Sequence, residues 1–556
     1  MILTGAQILI EELIRHGSTT VFGYPGGAVL DIYDELYKNS HRIKHIISSH
    51  EQGASHAADG YARISGRPGV VIATSGPGAT NLVTGIANAY LDSVPMIAIT
   101  GNVAVPLLGK DSFQEVDIVE ITQPIVKHNF IVRDVNELEG IINEAYALAE
   151  NGRKGPVLID IPKSVQKAKC LYHGDFFPEW SPRRAAYNLD KAKEVIQASQ
   201  RPYIYCGGGV LASGAEEEVL ALSKRLSAPV GLSMMGLTSL PHSWHLNLGM
   251  CGMHGRYAST VAQSKADLVI AVGVRFSDRA TGDTKEYSKR CSVIHIDIDE
   301  AELGKNIPRI IEVCGDAKEI LTSLLKDLPE KSNPEWLQTI NELKQKEKEA
   351  EDGDSAAFSP KNIITAVSRY CKEDTPVATD VGQHQMWVSQ YFPFGSPRTL
   401  LTSGGLGTMG YGFGAAIGGC VASGRKKTLL FTGDGSFGMN LNELATAVSQ
   451  KLPILIVVFN NGVLGMVRQW QGMFYSEHYS QTTLARATDF VAVAKAFGGD
   501  GKSIYSLEQL NSELESGVWG AGPFVLDCFI DKDEKVLPMI PPGGTVNDII
   551  LSREVR

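Results

Sequence analysis

The sequence predicts an α/β protein built of three doubly wound parallel-sheet domains. The first observation is an internal repeat. Residues 70–102 read VVIATSGPGATNLVTGIANAYLDSVPMIAITGN and residues 428–461 read TLLFTGDGSFGMNLNELATAVSQKLPILIVVFNN. Each has an apolar strand, a Thr, a Gly-rich turn, an Asn-Leu pair, a helix, a Pro and a second apolar strand ending in Asn. The second observation is that these strands are apolar almost throughout. With crossover helices between them, that indicates parallel sheets covered on both faces. The third is a separate α/β pattern between the repeats, where the strand 202–206 runs into Gly207-Gly208-Gly209. Domains are expected at 1–180, 185–345 and 355–556, with linkers at 178–184 and 344–359. The alternative for the repeat is that all βαβ units look alike.

In the first domain, residues 1–12 read as an amphipathic helix and lack the charged-apolar-small order of a secretory signal. An apolar run at 45–48 leads into Ser49-His50-Glu51-Gln52-Gly53-Ala54 and a helix of small residues, which places Glu51 at a strand end. Its plainer reading is a carboxylate satisfying a helix N-terminus. Zinc is excluded, because His50 and His56 are not spaced to share one helix face.

In the middle domain, Gly207-x-Gly209-x-x-Ala212 fits the dinucleotide turn, although alone it reads equally as a structural turn. Strands at 268–274 and 293–298 end at Arg275 and near Asp297, and ligands of open α/β sheets gather at such carboxyl ends.

The third domain holds the most specific signal. Gly433-Asp434-Gly435 is followed, after residues 436–459, by Asn460-Asn461. A carboxylate in a Gly-rich turn and an amide after the next strand can converge on one hard cation. Such oxygens suit Mg²⁺, which keeps phosphate oxygens and water as its other ligands. The Gly435-Ser436 amides near a helix start can receive phosphate oxygens.

Bulk properties agree. A net charge of −10 excludes a broad nucleic-acid surface. No apolar run reaches the roughly 18 residues that cross a bilayer. The eight cysteines lack CxxC pairs, which predicts reduced thiols in a cytoplasm.

The GDG-to-NN spacing resembles the thiamine diphosphate signature of the decarboxylase and carboligase superfamily. Along nearly the whole chain the match is specific to the acetohydroxyacid synthase (acetolactate synthase) catalytic-subunit family. The resemblance rests on Val21-Phe22-Gly23-Tyr24-Pro25-Gly26-Gly27-Ala28, His50-Glu51-Gln52-Gly53-Ala54 and Ser112-Phe113-Gln114-Glu115. It continues through Gly249-Met250-Cys251-Gly252-Met253-His254-Gly255 and Gly273-Val274-Arg275-Phe276-Ser277-Asp278-Arg279. The last blocks are Gly382-Gln383-His384-Gln385-Met386-Trp387, residues 460–470 and Pro538-Met539-Ile540-Pro541-Pro542-Gly543. The chain departs from the pattern at Ala104-Val105-Pro106-Leu107 and at Ser277.

The resemblance implies a pyrimidine-binding first domain, a central FAD-associated domain and a diphosphate-binding third domain. It implies that Asp434, Asn461 and the carbonyl of Val463 hold Mg²⁺. Thiamine diphosphate contacts would be Gly26, Glu51, Pro77, Asn81, Gln383, His384, Gly407, Met409, Gly433, Gly435, Ser436 and Met466, with Met466 supporting the bent cofactor. Glu51 would bind the aminopyrimidine N1′ and favour the tautomer that removes the thiazolium proton. Gln114 and Gly27 would lie near the reacting carbon. Phe113, Lys127, Met466 and Trp470 would face substrate, the alternative for Trp470 being plain packing. FAD, in a structural role, would meet Gly207, Gly208, Gly209, Met253, His254, Gly255, Arg275, Asp297 and Asp316. The alternative is that these merely form the core and rim of the middle domain.

The implied reaction is decarboxylation of pyruvate and transfer of the hydroxyethyl unit to pyruvate or 2-oxobutyrate, in branched-chain amino-acid synthesis. A flavin-free catabolic acetolactate synthase, or another thiamine-dependent decarboxylase or oxidase, stands as the alternative. The implied partners are 2-oxo acids, a second copy in a homodimer or dimer of dimers, and a small regulatory subunit. Neither nucleic acid nor membrane is expected.

Overall fold

The computed structural model of the chain describes residues 1–174, 188–281, 291–352, 357–486 and 488–551. The first third contains β1 (Ile2–Thr4), β2 (Thr20–Gly23), β3 (Lys44–Ile47), β4 (Gly69–Ala73), β5 (Met96–Asn102), β6 (His128–Ile131), β7 (Pro156–Pro162) and β8 (Lys169–Leu171). The middle contains β9 (Pro202–Cys206), β10 (Val230–Leu232), β11 (Asn247–Met250), β12 (Leu268–Val272), β13 (Ser292–Asp297) and β14 (Ile311–Cys314). The last third contains β15 (Val377–Thr379), β16 (Leu400–Leu401), β17 (Thr428–Gly433), β18 (Ile454–Asn460), β19 (Asp500–Ile504) and β20 (Phe524–Phe529).

These strands make three six-stranded sheets, in the orders β3-β2-β4-β5-β7-β6, β11-β10-β9-β12-β13-β14 and β16-β15-β17-β18-β20-β19. Every pairing within them is parallel. The expected doubly wound architecture is therefore present three times. All of β4, β5, β7, β9 and β12 is buried, because helices cover both faces. The repeat is also structural: each copy has two short helices between its strands, Pro77–Thr80 and Val83–Leu91 in the first, Asp434–Asn440 and Leu444–Ser449 in the second.

Register positions the site. Gly23 of β2 stands level with Ile47 of β3 and Ile72 of β4, so the segments after these three strands emerge side by side at one end of the sheet. Gly433 of β17 lies opposite Phe459 of β18, which brings Asp434 level with Asn460.

The outer domains share a core. Phe22, Ala54 and Ala57 cluster with Tyr411, Phe413 and Leu430. At its centre the helix Glu51–Ser65 packs on the helix Tyr411–Ala422. Glycines set their separation: a Cβ at Gly60 would run into the Ala415 carbonyl, and one at Gly418 into the Ala57 carbonyl. The helix Glu51–Ser65 is opened by the His50 ring, which accepts the Gln52 amide, and closed by Gly66 in the left-handed region.

Two expectations need correction. Residues 1–12 are not all helix: Ile2 pairs with Leu171 in a small antiparallel ribbon, and Thr4 opens the helix Gly5–Arg15 with a capping box to Gln7. The charged stretch at 344–359 is in part the helix Pro334–Asp352. Trp336, Ile340 and Leu343 recur at helical spacing and are buried, and Glu347 pairs with Arg256 at 2.9 Å. The other expected linker, 178–184, lies outside the described residues. Among the described residues no helix is long and apolar enough to cross a membrane.

Candidate active site

Asp434 follows β17 at the carboxyl end of its sheet. Burial pushes its carboxyl up to about 6, while the amides of Gly435 and Gly462 and the charge of Arg486 pull it back. The hydrogen bond to Gly462 places the carboxylate beside Asn461, whose Oδ1 accepts the Val463 amide at 3.2 Å. The segment carrying Thr482 and Leu484 lies along this turn, with Leu464 N donating to Thr482 O and Leu484 N to Gly462 O, both at 2.8 Å. The three expected metal donors therefore sit on two adjacent turns, Asp434 after β17 and Asn461 and Val463 after β18. Among the described residues no group of three or more His, Cys, Asp or Glu side chains is placed to hold a metal ion. One carboxylate, one amide and one carbonyl leave coordination positions for phosphate oxygens and water, the donor set that Mg²⁺ prefers.

Around these turns, Ser436 Oγ donates to Val381 O at 2.9 Å, and Gln383 Nε2 to Glu534 O at 2.7 Å and Gln469 Oε1 at 3.0 Å. Burial pushes the His384 imidazole down to about 3, so it is neutral, and its buried Nε2 has no hydrogen-bond partner. The ring stands against the turn that carries Asp434, with Nδ1 and Cε1 facing Gly433.

The N-terminal set converges separately. Glu51 accepts a hydrogen bond from Asn81 Nδ2 at 2.9 Å, and Pro77 opens the short helix that Asn81 caps. Gly26 and Gly27 lie in the neighbouring segment, where a Cβ at Gly26 would strike Thr74 and Thr74 Oγ1 accepts the Ala28 amide at 3.3 Å. Gln114 has a φ of 59° and packs its backbone over Gly76, and Phe113 beside it is 87% exposed. From the C-terminal domain, the buried carboxylate of Glu443 accepts the amides of Ser49 and His50 at 3.1 Å, bracing the entry to Glu51.

Lys127 is not brought to this set. It precedes β6, at the amino end of the parallel sheet, and its Nζ donates to the carbonyls of Leu148 and Asn151. Burial pushes it down to about 8. The lysine at the correct end is Lys163, which follows β7 and donates to Gly27 O at 2.8 Å. Gln166, also not foreseen, holds Ala28 O at 2.8 Å. Both lie in the short helix Lys163–Lys167 that directly follows β7, a position that could have marked them.

A cavity of about 2320 Å³ lies where the three domains meet. It is lined by Gly208, Gly209, Met253, His254, Arg275, Asp297 and Asp316 of the middle domain, and reaches Gly407, Met409, Met466 and Trp470 of the last. Gly207 and Gly255 do not line it; Gly255 packs on the Cys251 backbone. Burial holds His254 neutral, near 4, with Nδ1 unpartnered, and raises Asp297 to about 6. Such a cavity, with unsatisfied polar atoms in its wall, fits a large polar-aromatic cofactor. Near its mouth the Arg279 guanidinium lies 5.7 Å from the Trp470 ring centre. Glu51, Gly26, Gly27, Pro77, Asn81, Phe113 and Gln114 do not line this cavity.

Residues 3–121 match the N-terminal TPP binding domain of thiamine pyrophosphate enzymes, residues 189–324 their central domain, and residues 380–528 their C-terminal TPP binding domain. The chain is 42% identical to the probable acetolactate synthase large subunit of Methanocaldococcus jannaschii, across 99% of this chain and 95% of that protein. It is 41% identical to the acetolactate synthase large subunit of Haemophilus influenzae, across 99% and 98%. It is 40% identical to the acetolactate synthase isozyme 3 large subunit of Escherichia coli, across 100% and 99%.

Proposed function

The chain belongs to the acetolactate synthase large-subunit family of thiamine pyrophosphate enzymes, and from that we propose its reaction and the residues that perform it. The reaction is decarboxylation of pyruvate and ligation of the two-carbon unit to pyruvate or 2-oxobutyrate, giving 2-acetolactate or 2-aceto-2-hydroxybutyrate. The observation that carries the reading is Asp434 and Asn461 side by side after the ends of adjacent strands, a pair of turns suited to a metal-bound diphosphate.

Thiamine diphosphate, when bound, supplies the carbanion and the electron sink for decarboxylation. Asp434, Asn461 and Val463 O hold the Mg²⁺ that anchors it. Asn81 fixes one oxygen of Glu51, and we assign the other to the proton at the aminopyrimidine N1′. Lys163 and Gln166 hold the carbonyls of Gly27 and Ala28, orienting the turn assigned to the reacting carbon. Met466 and Trp470 shape the space for the second 2-oxo acid.

Of the C-terminal set, Gly407, Met409 and Met466 line the three-domain cavity, whereas Asp434, Asn461 and Glu51 do not. Tyr24, Leu30, Ile47 and Phe113 near Glu51 are exposed apolar side chains, which supports a second copy covering that end. Glu51 then acts on the cofactor anchored by the partner copy, and a homodimer is the minimum active unit. FAD in the three-domain cavity, in a structural role, is supported by that cavity's size and lining. The relatives are named large subunits, which supports a small regulatory partner. The buried free thiols of Cys206, Cys251, Cys420 and Cys528 support a reducing, cytoplasmic setting.

The test is acetolactate formation from pyruvate by the purified chain, with and without thiamine diphosphate and Mg²⁺. Product that depends on both is expected. CO₂ release without acetolactate would make the protein a decarboxylase. A flavin spectrum that pyruvate bleaches would make it an oxidase.

A further inference from the structure

The N-terminal domain grips a cavity-lining loop of the C-terminal domain from behind. The helix Val83–Leu91 ends at Asp92, one turn beyond Asn88, so both side chains leave the same face. Asp92 Oδ2 accepts the amide of Gly404 at 3.0 Å and Oδ1 that of Gly405 at 2.7 Å. Asn88 Oδ1 accepts the hydroxyl of Ser403, whose oxygen accepts the Thr408 amide at 2.9 Å. At the far end, Asp380 Oδ1 accepts the Gly410 amide at 2.7 Å.

The gripping residues are themselves fixed. Arg63 reaches Asp92 at 2.8 Å and Asp59 at 2.6 Å, and Asp59 also receives Asn88 Nδ2 at 3.1 Å and the Tyr411 hydroxyl at 2.6 Å. The side chains of Asp59 and Asp92 are fully buried. Buried charges are costly unless paired and hydrogen-bonded, and here they meet amides, the Tyr411 hydroxyl and one guanidinium. Asp59 and Arg63 lie on the helix that begins with Glu51.

The loop is built for this grip. A Cβ at Gly405 would sit 2.9 Å from Asp92 Oδ1 and 3.0 Å from Leu91 Cβ, so only glycine admits the carboxylate to successive amides. Residues 404–407 are exposed on their other side, and Gly404, Gly405, Gly407 and Met409 line the large cavity.

We propose that Asp92 and Asn88 are positioning residues for cofactor binding: they hold residues 403–409 in the shape that presents Gly407 and Met409 to thiamine diphosphate. This rests on the assignment of those two residues to the cofactor. A loop held before binding loses less freedom on binding, so the grip raises affinity without touching the reacting atoms.

The experiment uses Asp92→Asn and Ser403→Ala in the full chain. It reads the thiamine diphosphate concentration giving half-maximal acetolactate formation, kcat at saturating cofactor, and the melting temperature without cofactor. Losing charge-assisted bonds to the loop is expected to raise the half-saturating concentration by about tenfold or more. The accompanying fall in kcat is expected to be smaller. Ser403→Ala, which leaves the Arg63 cluster intact, is expected to move in the same direction. A lowered melting temperature with unchanged cofactor dependence would overturn the proposal. If Asp92→Asn does not fold, Ser403→Ala alone decides. A parent protein that needs no thiamine diphosphate would defeat the underlying functional reading instead.

Discussion

Asn81 Nδ2 holds the Glu51 carboxylate at 2.9 Å, tying the first residue of the helix Glu51–Ser65 to the short helix that follows β4. The bond orients the carboxyl before any cofactor arrives. Replacing Glu51 by Gln keeps its shape and that contact but removes the titratable proton. Glu51→Gln is expected to bind thiamine diphosphate nearly as well while turnover falls by about 10²–10⁴, the range of a lost acid–base group. Cofactor titration followed by fluorescence, with steady-state rates, checks both halves. Near-normal turnover would remove Glu51 from the chemistry.

Trp470 lies at the mouth of the cavity under the Arg279 guanidinium, with Phe474 at its edge. Trimming it to Leu opens space beside the second substrate. Since one methylene carries about 1–3 kcal/mol of discrimination, the preference for 2-oxobutyrate over pyruvate is expected to shift by about tenfold or more. Competition between the two acids, with both products quantified, measures the shift. An unchanged ratio would leave Trp470 a packing residue.

Gly418 faces the Ala57 carbonyl across the helix pair that joins the outer domains. Even Gly418→Ala puts a methyl where a backbone oxygen stands. Overpacking of this kind costs about 1–3 kcal/mol or more, so the melting temperature should fall by several degrees. Gly424→Ala, in open space but at a φ of 74°, should cost only the strain of its backbone conformation. Equal, small effects at both positions would argue against the close approach.

Asp160 is buried in β7, where Thr100 and Asn102 donate to it at 2.7 Å and 2.6 Å. Burial nevertheless pushes its carboxyl up to about 7, from an ordinary value of 3.8. A carboxyl raised on folding contributes stability that is fully present below its unfolded value and is lost as pH rises through its folded value. The window here runs from about 4 to about 7. Melting temperatures of the parent should fall relative to Asp160→Asn between about pH 4 and pH 7. Parallel curves would show that Asp160 does not titrate in this range.

Much of the fold and site was legible in the sequence, for local reasons. The strands were readable because a parallel strand buried on both faces must be apolar throughout, as β4, β5 and β12 are. Asp434 and Asn461 were readable because the ends of adjacent parallel strands lie at the same height whatever surrounds them. Lys127 was misplaced because a lysine next to a strand carries no mark of which end it occupies; only the direction of β6 put it opposite the site. Lys163, Gln166 and Glu443 went unread because their partners lie 136, 138 and 393–394 residues away.

The sequence by itself determined what is written in short windows: a period that makes strands, glycines that admit backbone or phosphate, and a carboxylate and an amide spaced for one metal. Tertiary structure alone decided which of these meet. Asp92 and Gly405 are 313 residues apart, and Ser49 and Glu443 are 394 apart. Hydrogen bonds and close packing act over a few ångströms and are blind to chain separation. Such contacts exist only once the shared core of the outer domains has folded and brought the two repeats together.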